Sequence, residues 1–221
     1  MDTVIFDMDG LLINSEPLWR EGMAKVFTKL GAQLEPEDYK QTMGLRTSEV
    51  VAFWCDYFEW EDIHPENLEN EILDEVIALV VEKGKLMEGV EYILEFFKKK
   101  NFKIGLASSS PMRMIQKVLS HFKISSYFMA CHSGQFQDYG KPHPSVYLSC
   151  AKELKAKPSE CLVFEDSLNG LIAAKAARMI TVVIPELSDR ADPRFSLGDL
   201  KLNSLLEFTD EKLQLLEKEI V

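Results

Sequence analysis

Asp7-Met8-Asp9-Gly10 sets two carboxylates two residues apart, ahead of a glycine at which the chain can turn sharply. Such a pair can divide labour, one group attacking an electrophile or binding a cation while the other moves protons. Taken alone the string also reads as a β-turn, since Asp-Gly favours tight turns. An EF-hand calcium loop is excluded, because Gly10 comes too early and Leu11 stands where an oxygen ligand is needed. Three further strings carry reactive side chains. Ile104-Gly105-Leu106-Ala107-Ser108-Ser109-Ser110 ends an apolar run in hydroxyls ahead of Pro111, and can turn hydroxyl and N–H donors toward an anion. Ser109 or Ser110 could equally cap the helix that follows. Gly140-Lys141-Pro142-His143-Pro144 confines a lysine, a fixed positive charge, while His143 lacks any His or Cys at ligand spacing and reads as structural. Phe164-Glu165-Asp166-Ser167-Leu168-Asn169-Gly170 holds adjacent carboxylates, either helix N-terminal charge or oxygen ligands for a hard cation.

These strings need elements to position them. Short β-branched or apolar runs at Thr3 to Phe6, Lys103 to Ala107, Tyr127 to Cys131, Leu162 to Phe164 and Ile180 to Ile184 read as strands. Segments of helical period lie between most of them: Val90 to Lys100, Pro111 to Phe122, Ser145 to Leu154 and Leu168 to Ala177. Strand and helix in alternation predict an α/β fold with a Rossmann-like parallel sheet. Residues 15–86 contain no convincing strand and read as a helical cap inserted after the first strand, leaving 1–14 and 87–221 as the α/β core. The cap's candidate helices are Pro17 to Leu30, Pro36 to Thr42, Thr47 to Trp60 and Asn67 to Lys83, with Thr47 and Asn67 as N-caps and Gly31 as a stop. Trp19, Phe53, Trp54, Phe58 and Trp60 read as its core and its seam with the sheet. A bundle in this place covers the carboxyl edge of the sheet, as a lid would.

Phe6-Asp7-Met8-Asp9-Gly10-Leu11-Leu12-Ile13-Asn14-Ser15-Glu16 resembles the first motif of the haloacid dehalogenase superfamily of aspartate-nucleophile phosphohydrolases, and the other three strings resemble its later motifs in order. The resemblance spans essentially the whole chain and implies a Mg²⁺-dependent phosphatase working through an aspartyl-phosphate. It assigns Asp7 as nucleophile, Asp9 as general acid and base, Ser108 and Lys141 to the phosphoryl group, and Asp7, Asp9, Glu165 and Asp166 to the metal, Asp9 by its main-chain carbonyl. Ser109, Glu16, Asn169 and Arg46 are expected to bind substrate, Arg46 from the lid loop Met43-Gly44-Leu45-Arg46-Thr47. Within the β-phosphoglucomutase-like subfamily, Asn14-Ser15-Glu16-Pro17-Leu18-Trp19, Gly105 to Met112 and Asp192-Pro193-Arg194-Phe195 are similar to the bacterial hexitol and 2-deoxyglucose-6-phosphate phosphatases. Asn14 departs from the Asp common there. The substrate expected is a small phosphorylated metabolite, a sugar or sugar-alcohol phosphate. Two rivals are a β-phosphoglucomutase-like mutase, which carries His where this chain has Trp19, and a non-catalytic sugar-phosphate sensor.

Composition narrows the partners. The 221 residues carry 25 Lys and Arg against 36 Asp and Glu, a net charge of -11 that repels nucleic acid and anionic membrane as main partners. Four cysteines without a C-x-x-C pair, Cys55, Cys131, Cys150 and Cys161, indicate reduced thiols rather than a disulfide framework or zinc site. With no signal-like start and no apolar run of the ~20 residues a membrane span needs, a cytoplasmic monomer is expected.

Overall fold

The computed structural model describes residues 1–42 and 44–218; Met43, in the expected lid loop, and 219–221 lie outside the described residues. Six parallel strands form one sheet in the order β3-β2-β1-β4-β5-β6. They are β1 (Thr3–Phe6), β2 (Lys103–Ser108), β3 (Ala130–Ser133), β4 (Cys161–Glu165), β5 (Ile180–Val183) and β6 (Leu200–Lys201). Helices α4 (Val90–Lys99), α5 (Met112–His121), α6 (Ser145–Glu153) and α7 (Leu168–Ala176) make the crossovers, and α8 (Asp210–Lys218) closes the described chain.

Sequence alternation sorts the two faces. Val4 and Phe6 of β1, Leu106 of β2 and Phe164 of β4 point into a core shared with α4, α5 and α8. Ile5, Ala107 and Val163, one residue out of phase, face α6 and α7. Phe6 stacks on Phe164 at 5.0 Å between ring centroids. Covered on both faces, β1 is fully buried, which is why its sequence reads as a continuous apolar run. Because β1 pairs with β2 on one side and β4 on the other, crossovers leave it in opposite directions and open a crevice at its carboxyl end.

Between β1 and β2 the chain makes α1 (Glu16–Lys29), a 3₁₀ turn over Asp38–Thr42, α2 (Thr47–Tyr57) and α3 (Pro65–Lys83) before re-entering the core at α4. Phe27, Trp54, Phe58 and Trp60 pack ring against ring inside this helical insertion. Its two connections to the core run side by side. The Asn14 amide donates to the Lys85 carbonyl and the Met87 amide to the Leu12 carbonyl, both at 3.0 Å, and Ile13 pairs antiparallel with Leu86.

Several boundaries differ from the sequence expectation. The run Tyr127 to Cys131 is not one strand: Ser125–Tyr127 forms a 3₁₀ turn, and β3 starts only at Ala130, where pairing with Gly105 begins. Its apolar residues serve other ends, Tyr127 donating its hydroxyl to Glu95 at 2.5 Å and Met129 lying exposed. Thr47 and Asn67 are inside their helices rather than capping them. Arg46 caps α2, its amide held by the Glu49 carboxylate, and His64 caps α3, where Pro65 suits the first turn. Pro111, not Ser109 or Ser110, caps α5, because both hydroxyls are used elsewhere. Gly31 does follow α1, with φ +78°. The short β6 and α8 lie outside the elements expected from the sequence.

Candidate active site

Three of the four strings converge at the carboxyl edge of the sheet because β1, β2 and β4 end there side by side, and the fourth reaches in with Lys141 from the loop after β3. Phe6, the last residue of β1, pairs with Leu106 and with Phe164. Asp7 follows at once, its amide still bonded to the Phe164 carbonyl at 3.0 Å. Its carboxylate is buried and accepts from the Lys141 ammonium at 2.6 Å.

Lys141 is buried too, and its ammonium also reaches Glu165 Oε1 at 2.7 Å, the Tyr147 hydroxyl at 3.0 Å and the Ala107 carbonyl at 3.1 Å. Burial alone would pull its pKa down; Asp7 and Glu165 outweigh that and hold the ammonium above its ordinary value. Tyr147 donates its hydroxyl to Glu165 Oε1 at 2.6 Å. The other oxygen of Glu165 accepts the Asp166 amide, the Ser167 amide and the Ser167 hydroxyl at 2.9 to 3.0 Å. Five donors therefore fill Glu165. Burial would raise its pKa, but Lys141 and these hydrogen bonds lower it, so Glu165 stands ionised as the anchor of the lysine.

Asp7, Glu165 and Asp166 have carboxylate oxygens within 4.8 Å of one another. Burial, opposed by Lys141 but reinforced by Glu165 and Asp9, pushes Asp7 up to about 7. Burial followed by Glu165 and Asp7 raises Asp166 well above the carboxylate range. With all three carboxylates ionised, as a bound cation would favour, they and the one lysine would carry a charge of -2, which a divalent cation cancels, and oxygen is the donor such cations take. The residues thus fit Mg²⁺, with Asp7 and Asp166 the less occupied ligands. Glycine is required beside them: Gly10 has φ +75°, and a β-carbon there would lie 2.0 Å from Asp166 Oδ2.

The Asp9 side chain is not part of that cluster. Its Oδ1 accepts from the Ser15 hydroxyl at 2.7 Å and the Trp19 indole N–H at 3.0 Å, and its Oδ2 from the Ser110 and Ser108 hydroxyls at 2.7 and 3.3 Å. Ser15 and Trp19 come from the start of the helical insertion, Ser108 and Ser110 from the end of β2. Ser108 also accepts the Ser110 amide at 3.0 Å, and Ser109 donates to the Gly44 carbonyl across the cleft at 3.0 Å.

A cavity between sheet edge and insertion is lined by Asp7, Asp9, Lys141 and Asp166 together with Glu16, Arg20, Tyr39 and apolar side chains of the insertion such as Met23 and Val50. Ser108 and Ser109 also line it. Burial and then Glu186 push the Glu16 carboxyl up to about 7. Two expected substrate contacts lie elsewhere. Asn169, in the first turn of α7, is not among the lining side chains and stands beneath Gly44, 3.7 Å from where a β-carbon on that glycine would be. Arg46 also lies outside the lining: its guanidinium is engaged by Glu49 at 2.7 Å and by the Gln137 carbonyl at 2.8 Å. Sequence reading missed Tyr147, Ser15 and the donor role of Trp19. Asking what must neutralise and solvate a buried lysine would have pointed to a tyrosine six residues along, whereas nothing local marks Trp19 as more than an aromatic at a seam. His143 binds no partner expected of a ligand; its Nδ1 accepts the Ser145 amide at 3.3 Å. The four cysteines are free.

Comparison with known proteins agrees with this geometry. Hexitol phosphatase B of Escherichia coli (strain K12) is 41% identical over 210 residues, 95% of each chain. A phosphorylated carbohydrates phosphatase of Thermotoga maritima is 33% identical over 191 residues, 86% of this chain and 88% of that protein. Among solved structures, a β-phosphoglucomutase from Clostridium difficile superposes with a TM-score of 0.86 at 22% identity, covering 99% of this chain and 98% of its own, which establishes the shared fold. Residues 1–178 match the haloacid dehalogenase-like hydrolases, and with the four motifs assembled at one sheet edge the chain belongs to that family.

Proposed function

We propose that the protein is a Mg²⁺-dependent phosphatase of sugar or sugar-alcohol phosphates, acting as a monomer in the cytoplasm through an aspartyl-phosphate on Asp7. The observation that carries this reading is the Asp7 carboxylate, buried against Lys141 and sharing one cavity with Asp9. Asp7 attacks phosphorus, the ester P–O bond breaks, and Asp9 gives its proton to the leaving alkoxide. Water then attacks the phosphorus of the acyl phosphate, Asp9 takes the water's proton, and phosphate and free Asp7 result. Lys141, Ser108 and the N–H groups after it stabilise the phosphoryl oxygens. Asp7, Asp166 and the Asp9 main chain would hold the cation, with the Glu165 carboxylate adding its charge beside them, and the cation would offset repulsion between carboxylate and phosphoryl group. Residues 15–86 act as a lid hinged at the paired connectors, and Glu16 and Ser109 contact the substrate from the cavity wall. Glu16, Arg20 and Tyr39 on the cavity lining offer polar groups to a hydroxyl-rich leaving group, and the names of the two curated relatives support the same class.

Against a mutase, the two groups of the insertion bonded to Asp9 are the Ser15 hydroxyl and the Trp19 indole N–H, and neither is a base that titrates near neutral pH as a histidine does. A sensor has no need of the Asp9 constellation. The test is phosphate release from a panel of hexose, hexitol and nucleotide monophosphates with Mg²⁺ or EDTA, alongside Asp7→Asn. Hexitol or hexose phosphates should be turned over with Mg²⁺ only. Retention of more than a few per cent of activity in Asp7→Asn would refute the covalent route.

A further inference from the structure

Arg46 is the lid residue whose contacts are least explained by substrate binding. It stands at the N-cap of α2, and its side chain crosses from the insertion to the core loop that joins β3 to α6. Nη1 donates to the Gln137 carbonyl at 2.8 Å and Nη2 to Glu49 at 2.7 Å. Glu49 in turn takes the Arg46 amide at 3.0 Å and lies against Gly140. Two glycines of that loop make the seat. A β-carbon on Gly134 would approach Arg46 Cγ to 3.4 Å, and one on Gly140 would approach Arg46 Nε to 3.0 Å and Glu49 Oε2 to 2.6 Å. Arg46 Nε is buried without a hydrogen-bond partner, so burial in this slot is tolerated at a cost the other two bonds must offset. Gly140 directly precedes Lys141.

We infer that Arg46 and Glu49 form a clasp through which the shut lid fixes the 134–141 loop, making them positioning residues that act through Lys141 rather than contacts to the leaving group. Gln137 and Gly140 lie four and one residues before Lys141, so the loop has little slack between clasp and ammonium. The Ser109 bond to Gly44 fastens the same lid edge to the phosphate loop beside it. Closure thereby sets Lys141 and the 108–110 loop together. The inference rests on the phosphatase reading for its kinetic consequence, but not for its structural one.

The test joins hydrogen exchange, two substrates and a double-mutant cycle on the full chain. In Arg46→Ala, amides of 134–141 should exchange faster while those of β1 and β4 stay as in wild type. kcat/KM should fall about tenfold or more, the scale of one lost hydrogen bond to a charged group, and by the same factor for sorbitol 6-phosphate and p-nitrophenyl phosphate. Gly140→Ala should reproduce the loss by expelling Arg46 and Glu49, and should cost little more in an Arg46→Ala background. If Gly140→Ala gives no folded protein, Glu49→Ala takes its place in the cycle under the same criterion. Unchanged exchange in the loop, a loss confined to sorbitol 6-phosphate, or fully additive substitutions would each overturn the clasp. Absence of phosphate release in wild type would instead defeat the phosphatase reading and leave the exchange test standing.

Discussion

Gly10→Ala should uncouple metal binding from folding. The added methyl would sit 2.0 Å from Asp166 Oδ2 and 2.9 Å from its Cγ, so the carboxylate must swing away by an ångström or so, estimated against ordinary carbon–oxygen contact. Mg²⁺ demands near-ideal ligand distances of about 2.0 to 2.1 Å, which a displaced Asp166 does not meet. Separately, φ +75° costs an alanine about 1 to 2 kcal/mol. For a chain of this length 1 kcal/mol moves Tm by about 2 to 4 °C, so in EDTA the variant should melt roughly 2 to 8 °C below wild type. At Mg²⁺ a hundredfold above Kd, wild type gains about 2.7 kcal/mol, or roughly 5 to 11 °C. A hundredfold loss of affinity leaves the variant about 0.4 kcal/mol at the same concentration, or 1 to 2 °C. Thermal melts of both proteins with EDTA and across a Mg²⁺ series read the two effects apart. Asp166→Asn should lose the Mg²⁺ increment without the backbone cost. An undiminished Mg²⁺ increment in Gly10→Ala would refute the reasoning, because Asp166 would then not be a ligand where Gly10 admits it.

Trp19→Phe keeps most of the packing but removes one of four donors to Asp9. Loss of acid positioning should lower kcat/KM about tenfold or more for sorbitol 6-phosphate, whose alkoxide needs a proton, and far less for p-nitrophenyl phosphate. Equal losses on both substrates would assign Trp19 to packing. Lys141→Ala should cost a hundredfold or more in kcat, on the order of one preorganised charge-stabilising group; a change below threefold would make the lysine structural. Glu16 titrates at about 7 when folded and near 4.5 when unfolded, so folding binds its proton more tightly. Its contribution is therefore fully present below about 4.5 and is lost as pH rises through 7. In EDTA, Glu16→Gln should match wild type at pH 4.5 and exceed it at pH 8, by as much as about 3 kcal/mol on the scale of 1.36 kcal/mol per pKa unit. Urea midpoints at the two pH values check this, and a gap no wider at pH 8 would count against it.

What could be read in the sequence was local. β1, β2 and β4 end directly at Asp7, Ser108 and Glu165, so an apolar run that stops at a reactive residue marks both strand and site. Residues 15–86 lack any run of period two, and the described elements between β1 and α4 are helices and a 3₁₀ turn. Partnerships formed across the chain were not legible. Arg46 meets Gln137 91 residues away, and Ser110 meets Asp9 101 residues away. From its neighbours alone, Arg46 reads as a lid contact to substrate and Ser110 as a helix cap; in the structure Arg46 bonds Glu49 and Gln137, and Ser110 bonds Asp9. β3 was misplaced for a related reason, since Tyr127 and Phe128 are apolar for packing that no strand period encodes.

The paired connectors also bear on the order in which the chain folds. β1 occupies the centre of the sheet yet is made first, and neither neighbour exists until β2 and β4 have followed it. From Phe6 to Lys103 the chain must close 96 intervening residues. Once α1, α2 and α3 assemble among themselves, Asn14 and Lys85 are already bonded, and the excursion drops out of the loop, leaving the 26 residues of 7–14 and 85–102 to close. That nearly fourfold shortening is about two doublings of loop length, worth roughly 1.1 kcal/mol of closure entropy. The insertion is therefore a folding scaffold for the strand that bears the nucleophile. Substitutions that loosen its Phe27 and Trp54 core should slow the pairing of β1 with β2 although they lie outside the sheet.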